Sequence, residues 1–256
     1  MTNNWLAIDE SVSYRAMPTL VIGHAAAAGE APANTLAGVR ACLDAGADGM
    51  ELDVQLCADG VPVLMHDETV NRTTNLKGKV RELSLAALQA ADAGEGEPVP
   101  TLEQVLELVA GRLTVMCELK ATPGDTEHDQ RCVDAVLEVL ERRDARTWAA
   151  VHSFQPEMVE RARETEPRVS AAIISGAVKG EALQRLLGGT LKRNAQAISV
   201  EHSCVDRELV VAAKRRQLTV WTWTADKERD WARVVEAGVD GIITNVPHAL
   251  RAWLGR

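Results

Sequence analysis

Residues 218–244 read LTVWTWTADKERDWARVVEAGVDGIIT. Leu218 to Thr222 is an apolar run of strand length. A polar turn follows, then an amphipathic helix from Lys227 to Ala237, then a second apolar run from Gly241 to Thr244. Strand, turn, one-sided helix and strand form the unit that builds parallel α/β sheets.

The same unit recurs toward both termini. Thr19 to Gly23 reads as the first strand. Asn34 or Thr35 caps a helix carrying Leu36, Val39, Cys42 and Leu43 on one face, and Gly46 stops it. Gly49 to Gln55 is the second strand. Further on, helices are read over Leu102–Val109, His128–Arg143, Gln155–Glu166, Glu181–Leu187 and Asp206–Arg215. Strands between them are read over Leu113–Leu119, Trp148–Ser153, Val169–Ile174 and Ala197–Val200, and Pro247–Leu254 is the last helix. The rhythm breaks once. Val61 to Met65 reads as an extra strand, and His66 to Pro100 is polar and rich in turn signals. This is an insertion of about residues 56–100 rather than a separate folded unit. Eight βα units in 256 residues predict a single-domain (β/α)8 TIM barrel over 1–256. The competing arrangement, an open doubly wound sheet, lacks support because no glycine-rich turn follows the first strand.

Apolar residues make up 46% of the chain, with one Phe, one Tyr and six Trp, so the core must be aliphatic. The net charge of −9 argues against a nucleic-acid partner and against an anionic membrane surface. A small anionic substrate remains compatible, because one cation reverses the local field. Five cysteines without a C-x-x-C pair read as reduced thiols of a cytoplasmic protein. Met1 to Met17 contains no basic segment followed by an apolar run, and no stretch has the length of a membrane span, so no signal peptide and no integral membrane segment are expected.

In such a barrel the chemistry gathers at the C-terminal ends of the strands. His24 closes the first strand. Glu51 and Asp53 are two apart in the second and so point to one side, as do Glu118 and Lys120 at the end of the third. Ser153, Glu201, Trp221, Trp223 and Asn245 end later strands. Glu51, Asp53 and Glu118 suit a hard cation, Mg²⁺ or Ca²⁺, because three neighbouring carboxylates repel one another without one. They suit solvated ion pairs equally well. His24 and His66, the latter followed by Asp67, are candidates for general base and general acid. Lys120 is a candidate phosphate ligand or a salt-bridge partner of the same carboxylates. Trp221 and Trp223 share a side, either as an apolar wall for substrate or as packing. Cys57 and Cys117 read as small apolar strand residues.

These residues carry a resemblance that runs along nearly the whole chain. Gly23-His24-Ala25-Ala26 and Ala31-Pro32-Ala33-Asn34-Thr35 resemble the opening motif of glycerophosphodiester phosphodiesterases, which usually reads H-R-G and then P-E-N-T. The stretch Gly46 to Gln55 is similar to the family's second-strand motif. Asp59-Gly60-Val61-Pro62-Val63, His66-Asp67, Arg72-Thr73-Thr74, Glu118-Leu119-Lys120, Trp221-Thr222 and Gly238 to Thr244 follow in the family's order. The resemblance implies a barrel with an insertion after the second strand and a Mg²⁺ or Ca²⁺ ion on Glu51, Asp53 and Glu118. His24 and His66 would be the catalytic histidines, with Lys120 and Trp221 toward a small-molecule glycerophosphodiester. The reaction implied is hydrolysis to glycerol 3-phosphate and an alcohol. Two positions depart from the pattern. The family arginine that clamps phosphate is Ala25, and a glutamate implied to ligate metal is Ala33, with Glu30 in the same loop as a replacement carboxylate. Two functions are therefore expected to compete: a metal-dependent phosphodiesterase, and a barrel that binds a phosphodiester or other ligand without turnover.

Overall fold

Side chains alternate between the two sides of a strand, so each barrel strand sends one set outward to helices and the other inward. The computed structural model describes residues 18–256; Met1–Met17, read above as lacking a signal peptide, lies outside them. In chain order the elements are β1 (Leu20–Gly23), α1 (Leu36–Asp44), β2 (Gly49–Leu56), β3 (Pro62–Leu64), α2 (Leu85–Ala90), α3 (Leu102–Val109), β4 (Thr114–Leu119), α4 (Thr126–Arg142), β5 (Ala149–Ser153) and α5 (Pro156–Thr165). They continue as β6 (Ser170–Ser175), α6 (Gly180–Lys192), β7 (Ala197–Glu201), α7 (Arg207–Lys214), β8 (Thr219–Trp223), α8 (Glu228–Ala237), β9 (Gly241–Thr244) and α9 (Pro247–Trp253).

The parallel strands run in the order β1-β9-β8-β7-β6-β5-β4-β2, and pairing of β1 with β2 closes them into a barrel. This is the (β/α)8 architecture that the repeated unit predicts. The extra strand β3 pairs antiparallel to the far end of β2, with Val54 opposite Leu64.

Outward residues such as Leu52, Val54, Val115, Cys117, Val151, Ile198, Val200 and Ile242 are buried against the helices in one large aliphatic core. Inside the barrel a smaller apolar floor consists of Ile22, Met116, Ala150 and Ile243, with Trp221 and Trp223 packed against it. Above that floor the inward positions turn polar. All five cysteines are free and buried, with Cys117 in the main core and Cys57 in the insertion's core.

Helix starts follow local chemistry. Thr35 caps α1 by accepting from the Gly38 amide, and Thr101 and Gln104 form a reciprocal capping box at α3. The insertion has an apolar cluster of its own, with Val63, Met65, Val70, Val80, Leu88 and Val99 buried together. Leu88 comes from α2, a short helix that the polar reading of this stretch did not anticipate. The insertion thereby brings Met65 and His66 back over the mouth of the barrel, where His66 lines the same cavity as His24. Among the described residues, no helix is long and apolar enough to cross a membrane.

Candidate active site

Parallel register places the reactive residues side by side. Asp53 on β2 is paired with Glu118 on β4, and Glu118 with His152 on β5. All three point into the barrel above the apolar floor. Together with His24, Glu51, His66 and Lys120, Glu118 and His152 line a cavity of about 240 Å³. Phe154, Ile174, Trp223 and Ile243 form its apolar side, and Phe154 meets Trp223 edge-on with ring centroids 5.6 Å apart. A cavity of that size suits a small molecule with one charged end and one apolar face.

Two histidines guard the mouth, each held through Nδ1. His24 Nδ1 lies 2.8 Å from the Asn245 side-chain oxygen. Asn245 donates its Nδ2 to Asp226 at 2.7 Å, so its oxygen is the atom left for His24. His24 therefore donates from Nδ1 and presents Nε2 toward Glu51, 3.9 Å away. Burial opposes the charged His24 ring, but the Glu51 charge and the Asn245 bond outweigh it and raise its pKa above the ordinary value. His66 Nδ1 lies 2.7 Å from Asp67, and Arg72 holds Asp67 with two bonds of 2.7 and 2.9 Å. The Arg72 guanidinium is the main reason the Asp67 carboxyl lies well below the usual carboxylate range.

The acidic cluster is more deeply placed. Glu51 accepts from the Ala25 amide at 3.0 Å through Oε2, while its Oε1 is buried without a hydrogen-bond partner. Burial pushes the Glu51 carboxyl up, but the facing rings of His152 and His24 and the Ala25 amide hold it at about 2. Burial, reinforced by the nearby Glu51 charge, pushes Glu118 up. Lys120 Nζ sits 2.5 Å from Glu118 and 2.8 Å from Asp53. Burial disfavours its ammonium, yet those two carboxylates outweigh the penalty and keep its pKa above the ordinary value.

Most of the sequence candidates come together here: His24, Glu51, Glu118, Lys120 and His66 share the cavity. Asp53 is adjacent: its Oδ2 accepts from Asn34 at 2.7 Å, and its Oδ1 is buried without a hydrogen-bond partner, 2.8 Å from the Lys120 ammonium. Trp221 lies one layer down, on the barrel floor with Ile22 and Ile243, and Trp223 is the tryptophan that lines the cavity. Glu30 points away, accepting from the amide and ring of His248 on α9. Glu201 turns back on its own strand end, accepting from the Ser203 amide. Ala25 and Ala33 line a neighbouring cavity of about 210 Å³ with Asp53, His66 and Arg72.

The residue that sequence reasoning missed is His152. Among the described residues, Glu51, Glu118 and His152 are the group whose donor atoms all lie within 4.8 Å of one another, the spacing of a metal site. The signal was present in strand parity: His152 is two residues beyond Ala150, whose side chain lies on the barrel floor. Ser153, which was singled out instead, points outward and donates to the Leu119 carbonyl at 2.7 Å.

Similarity to known proteins extends along most of the chain. The sequence profile of the Glycerophosphoryl diester phosphodiesterase family matches residues 24–249. A glycerophosphodiester phosphodiesterase of Caldanaerobacter subterraneus subsp. tengcongensis is 31% identical over 246 residues, covering 91% of this chain and 97% of the relative. One of Bacillus altitudinis is 31% identical over 242 residues, covering 90% and 95%. An Oleispira antarctica phosphodiesterase, solved with the product sn-glycerol-3-phosphate, superposes with a TM-score of 0.84 at 25% identity, covering 95% of this chain and 99% of that one. The profile match, the two relatives and the shared barrel lead to one assignment: the chain belongs to the glycerophosphoryl diester phosphodiesterase family.

Proposed function

We propose that this barrel hydrolyses a glycerophosphodiester to glycerol 3-phosphate and an alcohol. The observation that carries the reading is the convergence of two oriented histidines, two buried carboxylates and a lysine on one cavity with an apolar side. The apolar side, with Phe154 and Trp223, takes the carbon face of the glycerol. Lys120 sets a positive charge next to the phosphoryl oxygens. His24 and His66 share the base and acid roles, one taking the proton of the neighbouring glycerol hydroxyl that attacks phosphorus, the other protonating the departing alcohol oxygen; with the roles exchanged, water then opens the resulting cyclic phosphodiester to glycerol 3-phosphate, its proton passing to the released glycerol oxygen. Each ring is fixed through Nδ1 and so keeps Nε2 for that exchange.

Glu51, Asp53 and Glu118 would hold a divalent cation, with Lys120 beside Asp53 and Glu118. The unpartnered Glu51 Oε1 fits that role, because a buried carboxylate oxygen without a donor is costly unless a cation faces it. Such an ion, Mg²⁺ or Ca²⁺ if its ligands are oxygens alone, lowers the pKa of a bound hydroxyl and offsets phosphoryl charge.

A second reading, binding without turnover, draws on the cavity beside the site. Ala25 and Ala33 leave it without the charged side chains that the family pattern carries there. The catalytic reading rests on the histidines. His24→Ala and His66→Ala should each lower kcat for glycerophosphocholine by roughly 10²–10⁴-fold with the fold intact. Unchanged rates in both variants, measured as glycerol 3-phosphate release, would rule it out.

A further inference from the structure

We propose that His152 is a nitrogen ligand of the cation site, and that it moves the preference of that site from Mg²⁺ and Ca²⁺ toward Mn²⁺ and Co²⁺. The inference rests on the cation reading of Glu51, Asp53 and Glu118 above and names the class of ion they take.

His152 is 2% exposed, and neither ring nitrogen has a hydrogen-bond partner. An imidazole buried in that state forfeits its contacts with water and gains none in return. Its Nε2 faces Glu51 Oε1 across 3.8 Å. That separation is too long for a hydrogen bond. The facing oxygen is itself buried and unpartnered. Two orphaned donors aimed at one point, too far apart to satisfy each other, are satisfied together by an ion between them. Glu118, the register neighbour of His152, completes the group within 4.8 Å.

The sequence-level expectation of Mg²⁺ or Ca²⁺ followed from an all-oxygen set of Glu51, Asp53 and Glu118. The structure adds an imidazole to that set, on the strand beside Glu118. Mg²⁺ and Ca²⁺ favour oxygen donors, whereas an imidazole favours the later first-row ions. Binding follows the same direction as the Irving–Williams order, so Co²⁺ should exceed Mn²⁺ and both should exceed Mg²⁺.

The test uses the full chain stripped of metal. Mn²⁺, Co²⁺ and Mg²⁺ affinities are measured by calorimetry, and ¹⁴N coupling to bound Mn²⁺ by pulsed electron paramagnetic resonance. Three variants are compared: His152→Gln, which keeps a buried polar side chain, His152→Ala, and Glu51→Gln. Circular dichroism checks that each is folded. Expected are an imidazole ¹⁴N coupling in the unaltered chain, its loss in both His152 variants, and a Co²⁺ over Mg²⁺ preference that falls by about 10–100-fold in them. Absence of the coupling from the unaltered chain, or its persistence in either His152 variant, overturns the assignment of His152 and leaves the carboxylate site standing. Mn²⁺ bound as tightly by Glu51→Gln as by the unaltered chain overturns the cation reading itself.

Discussion

His66 shows how a single residue is prepared by its neighbours. Its side chain is about half exposed, and its orientation comes from Asp67, which Arg72 clamps from the other side. An exposed ion pair adds little to stability. The Asp67–Arg72 pair therefore matters for where His66 Nε2 points. Asp67→Asn should lower kcat by about 10²-fold, within the range that acid–base catalysis supplies, with KM and Tm little changed. An unchanged kcat would mean that Asp67 does not position the ring. The pH direction follows from the lowered Asp67 pKa. Its contribution to stability is present above about pH 4, the ordinary carboxyl value, and is lost as pH falls toward the folded value. Parity within strands made Glu51, Glu118 and Lys120 legible. His152 was passed over because the strand was read for its final residue rather than for the side facing the barrel, and Trp221 was preferred to Trp223 because both share that side and only depth separates them.

At the scale of elements, apolar periodicity marked each barrel strand and most helices to within a few residues. Two helices escaped it. α2 is short and lies in a polar stretch, and it forms because Leu88 reaches the insertion's own core. α6 was expected to stop at Leu187 before Gly188 and Gly189, but it continues to Lys192. Thr190 is buried on that last turn and donates to the Leu186 carbonyl, and burial there outweighs a cost of about 1 kcal/mol per helical glycine. Two glycines contrast usefully. A methyl group on Gly23 would lie 1.8 Å from the Ala26 carbonyl oxygen and 2.2 Å from Cys42 Sγ, while one on Gly188 meets nothing within 4 Å. Gly23→Ala should therefore lower Tm by several degrees and disturb the loop that carries His24, since overpacking costs about 1–3 kcal/mol. Gly188→Ala should raise stability by about 0.5–1 kcal/mol. Thermal melts of the pair check both, and a harmless Gly23→Ala would contradict the tight β1–α1 junction.

For the whole molecule, closure of the barrel is what turns a linear order of motifs into a site. Residues as far apart in sequence as His24 and Asn245 meet because β1 pairs with β9. The number of βα units made the barrel legible, and barrel logic put chemistry at the C-terminal strand ends. Side-chain partners were not legible: that Asn34 holds Asp53 Oδ2, that Lys120 bridges Asp53 and Glu118, and that Glu30 turns to α9, depends on contacts beyond the reach of a motif. The net charge of −9 leaves the cavity's own charges to decide its ligand. One measurement tests the catalytic reading most directly: glycerol 3-phosphate release from glycerophosphocholine and glycerophosphoethanolamine by the metal-stripped chain, with EDTA and with Mg²⁺, Ca²⁺ or Mn²⁺ restored. Release that EDTA abolishes and a divalent cation restores is the expected result. No release from either substrate with any of the ions, in a folded chain, would contradict the assigned hydrolysis and favour the binding role that Ala25 and Ala33 suggest.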